Sequence, residues 1–217
     1  VHLDAVRGDI TLTYFEFGTL AAMDQFHRCQ CDIAVMEVGI GGRLDAVNVF
    51  DADVALITTV DIDHQKWLGD DRESIGWEKV GIARGRRPTI SAERCPPHSV
   101  RSHTADIHSP LFVLGDAFDA TTSPDSQGWT WTSSGTEYVD LPLPVLPGAF
   151  QLDNAAGALM VLECLSERCP VSRRAVESAL RAPQLQGRFQ VLDCVPQLIL
   201  DVAHNPQATE ALAMNLA

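Results

Sequence analysis

Apolar residues fall along this chain in blocks of two kinds. In one kind they recur every three or four positions. Leu12, Phe15, Leu20, Met23 and Phe26 do so between Thr11 and Cys29, a span with no interior proline, which predicts a helix. In the other kind they run almost unbroken. Asp32 to Val38 and Asp53 to Val60 (Val-Ala-Leu-Ile-Thr-Thr-Val after the aspartate) predict strands apolar on both faces, as in a parallel sheet covered by helices. Residues 71–84 predict a helix with Ser74 as a cap, 88–91 a short strand, 98–106 a further helix and 111–114 a further strand. The alternation of the two kinds makes the class α/β, with a mostly parallel sheet flanked by helices.

From Asp116 to Gly135 the composition turns to Thr, Ser, Asp and Gly, and 129–132 with 138–141 predict a peripheral hairpin closed by Pro142, Pro144 and Pro147. Helices follow over 151–168, with Leu152, Ala155, Ala156, Leu159, Leu162 and Cys164 as the buried stripe, and over 172–181. A proline and a glycine bracket a short polar link at Pro183 to Gly187, which divides the chain into residues 1–186 and 187–217. The second part opens with strands at 188–193 and 198–202, and a helix begins at Asn205-Pro206, where Asn caps and Pro takes the first helical position. Both ends of the chain are expected to be cuts in a longer protein.

Composition narrows the function classes. With 217 residues, 46% hydrophobic and 21% charged, the chain reads as a soluble globular protein, expected in the cytoplasm. No apolar run is long enough for a bilayer. A formal charge of −13 argues against a nucleic-acid surface and requires local cations or a metal to hold any anionic ligand. The six cysteines are scattered and are expected to pack as small reduced groups rather than to bind zinc. His98, His103 and His108, five apart, scatter around a helix and suggest a solvated face.

Candidate chemistry gathers at strand ends. In residues 35–48 an apolar run leads into Glu37, then turns through Gly39, Gly41 and Gly42 before offering Arg43, Asp45 and Asn48. The glycines do not form a dinucleotide fingerprint, because Leu44 stands where the third glycine belongs and another strand follows soon after. Asp61, Asp63 and His64 end the second strand, and Asp201, His204 and Asn205 end the last. A carboxylate and an imidazole from neighbouring strands suit a magnesium ion bound together with a nucleotide; equally, Glu37 could cap backbone amides and His64 be a satisfied loop histidine. Lys79 shares a helix face with Ile75 and Ile82, so its stem points inward and its ammonium either finds a partner or modification or snorkels to solvent. Trp67, Trp77, Trp129 and Trp131 are expected to pack, with stacking on a ring substrate open to Phe15 and Trp67.

Taken in order, Thr13-Tyr14-Phe15-Glu16, Glu37 through Asp45, Asp63-His64 with Trp67-Leu68-Gly69, Glu73 through Gly76 running into Glu78-Lys79, Asn154-Ala155-Ala156, Gly187 through Gln190, and Asp201 through Pro206 resemble one family. It is the folylpolyglutamate synthase and dihydrofolate synthase family of ATP-dependent amide ligases, relatives of the Mur ligases. The resemblance implies a Mur-ligase central ATP-binding domain followed by the start of a smaller α/β ligase domain. It implies Glu37 and His64 as magnesium ligands, with His64 and a carbamylated Lys79 as catalytic groups. Thr13, Tyr14, Phe15, Glu16, Leu44, Asp45 and Ala46 would line the pterin substrate, and Asn154, Arg188 and Asp201 would contact nucleotide.

The implied reaction uses ATP and Mg2+ to add L-glutamate to dihydropteroate or to a folate tail through an acyl phosphate. A monomer that binds small-molecule substrates, and neither nucleic acid nor membrane, is expected. No Gly-x-x-Gly-Lys-Ser/Thr phosphate loop occurs in these residues, although the family has one upstream, so the 217 residues alone are expected to be inactive. Val47 and Val80 replace small residues often seen there. Rival readings are another Mur-type amino-acid ligase and a non-catalytic homologue that binds nucleotide or folate.

Overall fold

The computed structural model of the chain describes residues 2–62, 65–123, 127–182 and 185–216. A short helix α1 (His2–Arg7) precedes α2 (Tyr14–Arg28), and a 3-10 turn (Ala46–Val49) leads into strand β1 (Ala55–Ile57). Then come α3 (Gln65–Leu68), α4 (Arg72–Val80), β2 (Thr89–Ser91), α5 (His98–Asp106) and β3 (Leu111–Val113). Strands β4 (Phe118–Thr122), β5 (Gly128–Ser133) and β6 (Glu137–Pro142) follow, then α6 (Phe150–Cys164) and α7 (Arg173–Leu180). A hairpin of β7 (Gln190–Leu192) and β8 (Leu198–Leu200) and the helix α8 (Pro206–Leu216) end the described chain.

β1, β2 and β3 form the parallel sheet, Ala55 pairing with Thr89 and Thr89 with Leu111. Its two faces are covered by different helices, which is why β1 and β3 are apolar on both faces, while β2 buries Thr89 and Ser91 beside Ile90. Ile57 and Val60 pack with Ile75 and Val80 of α4 and Val100 of α5. On the other side Ile90 and Leu114 join Ala156, Leu159 and Met160 of α6. Gly157 allows that helix to lie directly on Ala92. The core hydroxyls of Thr89 and Ser109 satisfy one another at 2.8 Å.

The expected hairpin supplies two strands of a three-stranded antiparallel sheet, β4-β5-β6, that caps α6. Trp129 and Trp131 of β5 are fully buried, and their indole N–H groups donate to the Pro142 and Ala156 carbonyls at 2.9 and 3.2 Å. β4 escaped expectation because Asp119, Thr121 and Thr122 leave it few apolar positions. Helix α1 was likewise unexpected in a segment of mixed charge.

Several expectations fail, among them Ser74 as the cap of α4, since Asp71 caps it by accepting Ser74 N–H. Residues 32–38 run extended but join no sheet among the described residues, and Val35 is 86% exposed. An apolar run supplies the faces of a strand, but pairing needs a neighbouring backbone, and no strand among the described residues pairs with it. Nor do all tryptophans pack: Trp67 and Trp77 are exposed, Trp77 set edge-on to His103 at 5.0 Å. Cys29, Cys31, Cys95 and Cys194 are also exposed rather than packed.

Candidate functional site

The glycine turn after Glu37 is built by one carboxylate. Asp45 Oδ2 accepts the N–H groups of Gly39 and Ile40 at 3.0 and 3.1 Å, and Oδ1 accepts that of Val47 at 3.0 Å, capping the 3-10 turn. Asp45, expected to line a substrate, thus has both oxygens engaged in holding the backbone. Ala46 opens the 3-10 turn, while Leu44 projects from the bend, 79% exposed.

The turn sits directly on the C-terminal end of α4, the helix that carries Lys79. Arg43 N–H donates to the Glu78 carbonyl at 2.8 Å, and its guanidinium Nε and Nη2 reach Glu78 Oε1 at 3.2 and 2.9 Å. Asn48 Nδ2 donates to the carbonyls of Arg43 and Gly81, each at 3.0 Å. No side chain fits in this joint. A Cβ on Gly42 would lie 2.8 Å from the Glu78 carbonyl oxygen, and one on Gly81 would overlap Cβ of Arg43 and lie 2.7 Å from its Cα. Lys79 itself is half-buried in the last turn of α4, next to the fully buried Val80.

The aromatic pair Tyr14-Phe15 opens α2 beside the same turn. Thr13 caps this helix through a capping box: its hydroxyl accepts Glu16 N–H at 3.2 Å, and Glu16 Oε2 accepts Thr13 N–H at 2.7 Å. These bonds to Thr13 hold the Glu16 carboxyl below its usual range. Thr13 and Glu16 are therefore occupied by the helix start, whereas Tyr14 is 96% exposed and the Phe15 ring lies against Gly39. Tyr14, Phe15 and Leu44 are each exposed apolar side chains.

Glu37, at the end of the extended segment, is exposed. His64 lies outside the described residues, so the pairing of Glu37 with His64 is carried by sequence alone. Among the described residues no three His, Cys, Asp or Glu side chains converge on a point that could hold a metal. A single hard carboxylate such as Glu37 fits magnesium of the kind held by one or two protein groups together with nucleotide phosphates.

The nucleotide candidates fall into two places. Asn154 lies in the first turns of α6, its amide bonded to Gln151 at 3.3 Å. Arg188 and Asp201 are brought together by the β7–β8 hairpin. Asp201 Oδ2 accepts Phe189 N–H and Oδ1 accepts Ala203 N–H, both at 2.7 Å, and Val202 N–H closes onto the Gly187 carbonyl at 2.9 Å. The Asp201 carboxylate thus pins the segment that bears Arg188, which is exposed.

Two further clusters at the carboxyl ends of the sheet were not foreseen. Arg72, at the start of α4, ion-pairs with Glu93, and together they grip Val60: Glu93 Oε2 accepts its N–H at 2.9 Å while Arg72 Nε donates to its carbonyl at 2.9 Å. Beside Asn154, the Asp153 carboxyl is pushed up by burial, Arg94 opposing this and Asp119 adding to it; Arg94 pairs with Asp119 at 2.6 Å. Neither cluster has a fixed sequence spacing, so only the isolated charges in apolar surroundings could have signalled them.

A scan against protein-family models finds no match. Curated relatives are clear. The chain is 41% identical over 210 residues to the dihydrofolate synthase/folylpolyglutamate synthase of Escherichia coli (strain K12), covering 97% of this chain and 48% of that protein. The chain belongs to the dihydrofolate synthase/folylpolyglutamate synthase family. It spans about half the length of the curated relatives it matches. The enzyme of the same name from Haemophilus influenzae (strain ATCC 51907 / DSM 11121 / KW20 / Rd) is 33% identical over 222 residues, with 95% of this chain and 49% of that protein covered. Among solved structures, E. coli FolC in complex with DHPP and ADP superposes with a TM-score of 0.89 at 40% identity, over 98% of this chain and 49% of that one. The bifunctional synthase from Yersinia pestis complexed with AMPPNP and Mn ion does so with a TM-score of 0.88 at 44% identity, over 99% and 50%. The α/β fold expected from the alternating blocks is the fold of this family.

Proposed function

We propose that the protein is an ATP-dependent amide ligase of folate metabolism, adding L-glutamate to dihydropteroate, to folate polyglutamate tails, or to both. The observation that carries this is the superposition of nearly the whole chain on synthases solved with nucleotide. One of these holds DHPP and ADP, and a bifunctional synthase with Mn, AMPPNP and L-glutamate bound shares 44% identity.

In this reading Glu37 and His64 hold magnesium against the nucleotide phosphates, and the bound ion neutralises charge that builds on phosphate oxygens. Asn154, Arg188 and Asp201 contact the nucleotide. Tyr14, Phe15 and Leu44 supply the surface on which a pterin ring rests; Thr13, Glu16, Asp45 and Ala46 shape that surface. The substrate carboxylate oxygen attacks the γ-phosphorus of ATP and ADP leaves. The amine of glutamate then attacks the acyl carbon, phosphate departs and the nitrogen gives up a proton. A carbamate on Lys79 would turn a half-buried cation into an anion beside the metal, which gives that lysine a purpose on its inward face. Exclusion of water protects the acyl phosphate from hydrolysis.

Residues 1–186 and 187–217 belong, on this reading, to two domains, with Arg188 and Asp201 contributed by the second. No described helix is long and apolar enough to cross a membrane. The test is phosphate release by the full-length protein with ATP, Mg2+ and glutamate, in the presence of dihydropteroate, of tetrahydrofolate, or of neither. Pterin-dependent release is expected, and Glu37→Gln should abolish it with the circular dichroism spectrum unchanged. Release indifferent to both pterins would overturn the proposal.

A further inference from the structure

We infer that Asn48 and Arg43 are positioning residues that fix the place of Lys79 relative to Glu37. The inference rests on the roles given to Glu37 and Lys79 above, and it concerns residues that no role has yet absorbed. A primary amide has two N–H donors on one nitrogen. Asn48 directs that nitrogen at two carbonyls from segments far apart in sequence, Arg43 in the glycine turn and Gly81 just after α4. Arg43 in turn engages both acceptors of Glu78, the backbone carbonyl with its own N–H and the carboxylate with its guanidinium. Glu78 immediately precedes Lys79, and Arg43 follows Glu37 across the turn.

Between the two segments the backbones touch, because Gly42 and Gly81 leave no space for a side chain. A side-chain interface can repack to absorb a small displacement, whereas a backbone contact passes it on. The turn and the end of α4 therefore form one rigid piece, with Glu37 entering from one side and Lys79 leaving from the other. Their relative placement is set by Asn48 and Arg43, which themselves need touch neither metal nor substrate.

Two substitutions in the full-length protein disturb the joint by different means. Asn48→Asp replaces the donors with a carboxylate facing two carbonyl oxygens. Gly81→Ala removes no polar group and inserts a methyl where Arg43 lies. Binding of Mn2+ is followed by electron paramagnetic resonance with a non-hydrolysable ATP analogue, alongside analogue affinity without metal and the melting temperature.

Both variants should weaken Mn2+ binding about tenfold, the lower end of the loss seen when groups that orient metal ligands are removed. Metal-free affinity for the analogue should stay within about twofold, since Asn154, Arg188 and Asp201 are on other elements. Arg43→Lys, which keeps the charge and the backbone bond but loses the fork, should fall between. A merely structural joint would lower the melting temperature without touching the metal constant, and folded variants that bind Mn2+ like the unsubstituted protein would overturn the inference. Gly81→Ala and Arg43→Lys decide it if Asn48→Asp fails to fold. Failure of the unsubstituted protein to bind Mn2+ with the analogue would overturn the ligase reading and this inference with it.

Discussion

Replacing Asp45 tests whether the glycine turn is organised from within. Its three accepted N–H groups differ in what their loss means. The bond to Val47 is partly buried and caps the 3-10 turn, and losing such a cap costs about 1 kcal/mol. The bonds to Gly39 and Ile40 are exposed, so water takes over part of each and about 0.5 kcal/mol apiece is lost. Asp45→Ala should then destabilise by about 2 kcal/mol, a fall in melting temperature of about 4–8 °C for a chain of this length.

Asp45→Asn is the sharper variant. A carboxamide offers one oxygen, and its nitrogen would aim N–H at N–H on whichever lobe it occupies. The isosteric change should therefore recover at most half of the loss. Thermal unfolding followed by circular dichroism, at neutral pH and fixed salt, measures both. If Asp45→Asn melts within about 1 °C of the unsubstituted protein while Asp45→Ala falls by the full amount, then one oxygen suffices and the two-lobed account is wrong.

Further outcomes follow from burial and charge. Trp131→Ala should cost about 3–5 kcal/mol, because the ring is fully buried between the antiparallel sheet and α6; denaturant unfolding that shows under 1 kcal/mol, about the scatter of surface changes, would refute that packing. Glu73 is held below the usual carboxylate range by the N–H groups of Ser99 and His98, and Asp71 by that of Ser74. Their contribution is present above the unfolded carboxylate range and disappears as pH falls through their depressed values, so Glu73→Gln should melt lower than the parent at neutral pH and converge with it in acid. Asp153 runs the other way: with its carboxyl raised by burial, the folded state loses stability as pH climbs from the unfolded value through the raised one. Asp153→Asn should melt higher than the parent at neutral pH and not in acid, and a lower melting temperature at neutral pH would show that attraction to the Arg94 charge outweighs burial.

The longer helices and the parallel strands were legible because period and length coincide there: α5 begins and ends where expected, and β2, β3 and α7 differ by a residue or so. The exposed course of 32–38 was not, since hydrophobicity reports what a segment could bury rather than what lies beside it. The site was legible as a set of residue types, but the local backbone bonds those residues make were not. Thr13, Glu16, Asp45 and Asp201 were picked out as ligand contacts, and in the fold each also accepts backbone N–H groups. Polar residues next to glycines serve a turn and a ligand by the same chemistry, so sequence alone does not separate the two. Asn48 shows the converse. It stood in the quoted run, but its two partners are joined only by the fold.

The grip of Arg72 and Glu93 on Val60 constrains how this sequence can vary. Many ion pairs with limited solvent access can be exchanged for a well-matched apolar pair with little harm. Here each partner also answers one main-chain polar group of Val60, Glu93 the N–H and Arg72 the carbonyl, so together they imitate the pair of bonds that an adjacent strand would have supplied. An apolar exchange would abandon a donor and an acceptor on a residue whose side chain is buried. Drift at either position is thus tied to the other and to the main chain between them, and a library randomising 72 and 93 together should return acid–base combinations or amide pairs, with aliphatic pairs absent among stable clones.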